Sequence, residues 1–145
     1  MGSDSFSDSG SQIPPQIETK LIKQGWHPEW DYDVDSCERK LNKNGIQLVD
    51  AARFFLEKFG GLSILGSASC RRYYLNPIRV LRYVPAEKIL AYETEIQQPF
   101  SPIGEVDGGQ MDILLDAEQG FYLVRDDTVV KVANSYGSAL QYFLK

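Results

Sequence analysis

The stretch that decides the fold is Pro99-Phe100-Ser101-Pro102-Ile103-Gly104-Glu105-Val106-Asp107-Gly108-Gly109, followed closely by Met111–Asp116, Gly120–Arg125, Thr128–Ala133 and Asn134–Lys145. Pro99 and Pro102 block a helix and open an extended run. Met111, Ile113 and Leu115 alternate with Asp112, Leu114 and Asp116, Phe121 and Leu123 with Tyr122 and Val124, and Val130 and Val132 with Lys131. This period of two predicts strands buried on one face and partly covered on the other. Gly108-Gly109, Glu118-Gln119-Gly120 and Asp126-Asp127 supply the turns, which makes the region a four-strand meander. Tyr136, Ala139, Leu140, Phe143 and Leu144 then fall at helical spacing, and a helix of that length must pack on the sheet to be stable.

Upstream, Pro85 stands where a helix takes its first residue, and Ala86–Glu93 continues it with good helix formers. Leu62–Leu65 and Arg72–Leu75 read as short strands, and Ile78–Tyr83 as a third strand or an irregular segment. The clearest helix carries Leu48, Ala51, Ala52, Phe55, Leu56 and Phe59 on one broad stripe, with Asp50 near its first turn and Gly60-Gly61 at its end. Two further helices precede it. One follows Pro14-Pro15 with Ile17, Leu21 and Ile22 and ends at Gly25; the other carries Cys37 and Leu41, with Asp35 or Ser36 as its cap and Asn44-Gly45 as its end. The fold class is therefore α+β: a single domain with a mostly antiparallel sheet of about six strands flanked by about four to five helices.

The chain has 145 residues, enough to bury a core without disulfides or metal. No apolar run reaches the ~20 residues of a membrane span. Residues 1–12, rich in Ser, Gly and Asp, read as a disordered leader, native or appended, ahead of a domain over 13–145. Cys37 and Cys70 lie in unrelated segments and read as buried free thiols, which with the absence of a signal peptide points to the cytoplasm. One histidine, His27, and no CxxC or HExxH argue against a structural zinc site, and nothing calls for a cofactor. The net charge of −5 disfavours nucleic acid as a partner and permits a basic protein.

Few residues look built for chemistry. Glu105 and Asp107, two apart in an extended run, would share a side, as an acid/base pair or any polar strand face does. Gly104–Gly109 carries two acids and no following lysine, so it is no phosphate cradle. His27 has no nucleophile motif beside it and reads as a surface or half-buried histidine. Arg71-Arg72-Tyr73-Tyr74 interleaves bases and aromatics, but on an acidic domain it reads as a strand. The loop Trp26-His27-Pro28-Glu29-Trp30-Asp31-Tyr32-Asp33 has the aromatic and acidic makeup of an interaction surface. Trp26, directly after a helix, reads as a core plug; Trp30 fits core or surface.

These pieces, in their order, resemble the SUKH superfamily of bacterial immunity proteins, in particular its third branch. The matching elements are Gly25-Trp26-His27-Pro28, Ala51-Ala52-Arg53-Phe54-Phe55-Leu56-Glu57-Lys58-Phe59-Gly60-Gly61-Leu62, Pro99–Glu105, and the helix start Ser135-Tyr136-Gly137-Ser138-Ala139-Leu140. The resemblance covers nearly everything outside the leader. It implies a non-enzymatic antidote that binds and occludes a cognate toxin, often a nuclease or deaminase. Such a toxin is usually basic, which gives the acidic charge a use in steering the encounter. The residues that charge and expected exposure nominate for this contact are Glu29, Asp31, Asp33, Glu105, Asp107, Asp126 and Asp127, with Trp30 and Tyr32 as anchors. A monomer or weak homodimer is expected, with no nucleic acid or membrane partner. Two other classes stay open: a regulatory or scaffold module, as some eukaryotic relatives look to be, and an enzyme using Glu105 and Asp107.

Overall fold

The computed structural model describes residues 13–82 and 84–145, so the leader expected over 1–12 lies outside it. The strands are β1 (Ser63–Leu65), β2 (Arg72–Tyr74), β3 (Phe100–Val106), β4 (Met111–Asp116), β5 (Phe121–Arg125) and β6 (Thr128–Ala133). They form one antiparallel sheet in the order β1-β2-β3-β4-β5-β6, a meander in which every strand pairs with its chain neighbours. The helices are α1 (Pro15–Lys23), α2 (Val34–Lys43), α3 (Asp50–Phe59), the short turns α4 (Pro77–Val80), α5 (Ala86–Leu90) and α6 (Glu93–Ile96), and α7 (Tyr136–Leu144). This is the α+β architecture expected.

The predicted stripe of α3 is the centre of the core. Leu48, Ala51, Ala52, Phe55, Leu56 and Phe59 are all buried. Phe55 meets the rings of Phe59, Phe121 and Tyr136 at centroid distances of 5.1, 5.2 and 5.5 Å, in tilted and edge-on arrangements that suit aromatic pairs. The Tyr136 hydroxyl donates to the Ala51 carbonyl at 3.0 Å, tying α7 to α3 across the aromatic cluster. Ser101, fully buried on β3, donates to the Gln47 carbonyl and accepts from the Val49 amide, each at 2.7 Å. That bridge satisfies backbone groups just before α3 and sets its start against the sheet.

The sheet is covered on both faces. Ile113, Leu115, Phe121 and Leu123 face the helical layer, whereas Leu114, Tyr122 and Val124 face a second cluster closed by Tyr92 and Ile96. The end of the excursion between β2 and β3 supplies that second cover through Tyr92 and Ile96, while Val80 and Ile89 earlier in it join the main core. The excursion departs from the sequence reading in two ways. Ile78 to Val80, read as strand or irregular, is part of α4: Asn76 caps it, accepting from the Ile78 amide at 3.0 Å, and Pro77 sits in its first turn. The helix read from Ala86 through Glu93 breaks after Leu90 and restarts at Glu93, which turns Tyr92 and Ile96 onto the sheet.

Smaller differences are local. Ile22 is exposed, so the α1 stripe narrows to Ile17 and Leu21. The cap of α2 is Asp33, not Asp35 or Ser36, and it accepts from the Ser36 amide at 3.1 Å. Cys37 is buried as expected, but Cys70 is exposed in the β1–β2 turn, at a left-handed position (φ 59°). Gly104 is required by packing: a Cβ there would run into the Tyr74 carbonyl oxygen, at the irregularity where β3 shifts register on β4.

Phe55→Ala is expected to lower unfolding free energy by about 3–5 kcal/mol in chemical denaturation, as for a fully enclosed aromatic. A loss under about 1 kcal/mol would show that the stripe is not the core.

Candidate partner-binding site

The nominated residues other than Glu105 fall into two groups at opposite ends of the sheet. In a meander, the β3–β4 and β5–β6 turns lie at one end and the start of β1 at the other, and Trp30 reaches the backbone just before β1. Glu29, Trp30, Asp31, Tyr32 and Asp33 therefore sit at one end, and Asp107, Asp126 and Asp127 at the other.

The first group is a rigid loop. Its Trp26 is the core plug expected: buried, tilted on Phe59 at 5.7 Å, with its indole N–H donating to the Lys58 carbonyl at 2.8 Å. Trp30 repeats the device one turn further, donating to the Gly60 carbonyl at 2.8 Å while its ring stays partly exposed. Exposed His27 meets that ring edge-on at 5.5 Å. Tyr32 lies against the end of α3, where a Cβ on Gly60 would collide with its ring, so that glycine is fixed by the tyrosine. Burial, reinforced by Cys37, pushes the Tyr32 phenol well above its ordinary range, so it stays neutral at any physiological pH. Glu29, Asp31 and Asp33 are exposed, and the loop is pinned by two indole hydrogen bonds, so their carboxylates project from a fixed backbone.

A neighbouring cluster was missed in the sequence. Arg53 of α3 pairs with Asp35, with Glu38 at 2.6 Å and with Glu57 at 4.0 Å. The Arg53–Glu57 spacing of one helical turn was a readable signal; the approach of α2 was not. The Arg53 guanidinium holds the Asp35 carboxyl below its ordinary value. Asp31, Tyr32, Asp33, Asp35, Arg53 and Glu57 line an open cleft of about 500 Å³, a predominantly acidic surface with one arginine held inside it.

At the other end, Asp107 and Asp126 both occupy left-handed turn positions, at φ 53° and 54°. Asp107 is committed internally, accepting from the Arg71 guanidinium at 2.8 Å and the Arg72 amide at 2.9 Å. That also accounts for the Arg71–Tyr74 motif: Arg71 is neutralised, and Tyr73 is buried on the core side. Asp126 and Asp127 are exposed at the hairpin tip. Beside them Arg71, Tyr73, Met111, Leu123, Val130 and Tyr142 line a groove of about 420 Å³.

Glu105 is a correction. It is fully buried and bonded to the Arg79 guanidinium at 2.8 Å, so it offers no surface to a partner. Nor does it form a same-side pair with Asp107, because the chain leaves β3 at Val106 and turns. Among the described residues no group of three or more His, Cys, Asp and Glu could hold a metal ion. No helix among them is long and apolar enough to cross a membrane.

The fold and this surface define an α+β protein with acidic side chains displayed at both ends of its sheet. The model of the SUKH-3 immunity protein family matches residues 13–145, and the chain belongs to that family. No curated protein matches the chain.

The loop's rigidity rests partly on the cap. Asp33→Ala is expected to cost about 1 kcal/mol of stability and Asp33→Asn a few tenths at most, since asparagine caps equally well. Equal losses in thermal denaturation would show that the charge, not the hydrogen bond, stabilises the loop.

Proposed function

We propose that this immunity protein binds a cognate toxin of basic surface and neutralises it by occlusion, acting without catalysis. The observation that carries the reading is the pinned loop Glu29–Asp33. Its half-exposed Trp30 is locked by a backbone hydrogen bond, and exposed carboxylates flank it beside the acidic cleft of α2 and α3. A rigid aromatic amid fixed charges loses little entropy on binding and rejects acidic competitors. Asp126 and Asp127 form a second acidic display, at the far end of the sheet, which a large partner or a second contact can use. The chain's net charge of −5 steers a cationic domain toward its surface.

The test starts from affinity capture in the source cells with a graded salt wash, followed by kinetics on the purified partner. A basic toxin domain released only at high salt, and inhibited when bound, is the expected result. A set of housekeeping proteins in its place would favour the regulatory-module reading. Glu29→Lys with Asp31→Lys, two exposed residues outside the cap, is expected to slow association about tenfold or more at low salt and to flatten its salt dependence. Unchanged rates would move the interface away from this loop. Trp30→Ala should act on the dissociation rate instead, the signature of a desolvated anchor.

A further inference from the structure

The register sets Glu105 directly opposite Asp112 on neighbouring strands β3 and β4, where Cβ atoms lie about 5 Å apart. Both are buried, at 0% and 5% exposure, on the face covered by the β2–β3 excursion. Two like charges so placed repel strongly away from water. Arg79, stacked over the Tyr74 ring at 4.2 Å, reaches Glu105 Oε1 at 2.8 Å. The other oxygen, Glu105 Oε2, is buried without a hydrogen-bond partner, the one such side-chain atom among the described residues. A buried carboxylate oxygen left bare is costly, and a carboxylic acid opposite it would supply the missing donor.

We propose that Glu105 and Asp112 share one proton, the Asp112 acid donating to Glu105 Oε2, and that this shared proton is a latch holding Tyr92 and α6, which close this face, on the sheet. When the proton leaves to solvent, two buried carboxylates face each other beneath that cover, and the cheapest relief is to let water in by loosening it. The groups around the pair are Arg79 from α4, Lys88 from α5 and the Tyr92 phenol just after it; β2 contributes Tyr74, and β5 places uncharged Val124 opposite Asp112. Burial, then the Glu105 charge, pushes the Asp112 carboxyl up to about 6, with Lys88 opposing.

The sign follows from linkage. The folded state holds this proton more tightly than the unfolded chain, whose aspartate has the ordinary value of 3.8. Its contribution is full below that value and is lost as pH rises toward about 6. The latch is thus closed in mild acid and weakened at neutral pH. The loosened cover reaches the far hairpin, because the Tyr92 hydroxyl donates to the Asp126 carbonyl at 3.0 Å.

The experiment follows the Asp112 carboxyl carbon by NMR on the full chain, with amide hydrogen exchange of residues 92–96 between about pH 5 and about pH 8, corrected for intrinsic rates. A midpoint near 6 is expected, with protection falling about tenfold or more across it. In Asp112→Asn, whose amide donates to Glu105 Oε2 at every pH, protection should stay at its acid level. Glu105→Gln should lower the Asp112 midpoint. A wild-type midpoint below about 4.5, a midpoint unmoved by Glu105→Gln, or the same pH dependence in Asp112→Asn would each overturn the proposal.

Discussion

The structure depends on one constraint: the middle of the sheet is buried on both faces. Leu114 of β4 is as inaccessible as its neighbours Ile113 and Leu115, although the three point to alternating sides. One helical layer, of α1, α2, α3 and α7, covers one side. The other side needs its own cover, and the chain provides it by interrupting the meander between β2 and β3. Hence the broken helix at Leu90–Glu93, and hence Tyr92 and Ile96 in a cluster of their own with Leu114, Tyr122 and Val124. Burying a sheet's second face also buries whatever polar residues the strands carried there, and Glu105, Asp112 and Asp116 are the result.

Each of these acids is accommodated differently, and the difference separates architecture from sensitivity. Asp116 accepts from the Glu118 and Gly120 amides at 2.8 Å and from the Tyr122 hydroxyl at 2.7 Å, so its oxygens are occupied and it serves to set the β4–β5 turn. Glu105 is half satisfied by Arg79, and Asp112 faces Glu105 with only the charge of Lys88 to moderate it. A fully bonded carboxylate fixes the backbone around it, whereas Glu105 keeps one buried oxygen without a donor.

What was legible in the sequence was whatever a local pattern dictates. The α3 stripe, the alternation in β4 to β6, the Gly108-Gly109 and Asp126-Asp127 turns and the closing helix all depend on neighbours within a few residues. The illegible parts depend on distant partners. Alternation of Ile113 and Leu115 with Asp112 looks the same whether the second face meets water or a cover, and only the 77–96 excursion decides which. Glu105 read as an exposed acid because its arginine comes from a segment with no strand or helix period of its own. Asp33 is the cap because α2 begins at Val34, one apolar position before the Cys37 and Leu41 pair from which the helix was read. In the candidate site, composition alone marked the Trp30 loop, but not the Arg53 cluster, which exists only once α2 and α3 pack together.

The charge that remains for a partner is smaller than the composition suggests. Asp35, Glu38 and Glu57 gather on Arg53, Asp107 is engaged by Arg71, and Glu105 and Asp116 are spent inside the fold. Glu29 and Asp31, together with Asp126 and Asp127, are exposed and form no ion pair among the described residues. An unpaired surface carboxylate keeps its full field in the solvent, while a paired one contributes only a short-range dipole. Asp50, Glu87, Glu93, Glu95 and Glu118 are exposed and without an ion pair among the described residues as well, so the field spreads over the surface and does not by itself single out a contact. Only the Trp30 end joins those free charges to a rigid, half-exposed aromatic, and for that reason it is the stronger candidate for the contact that determines affinity.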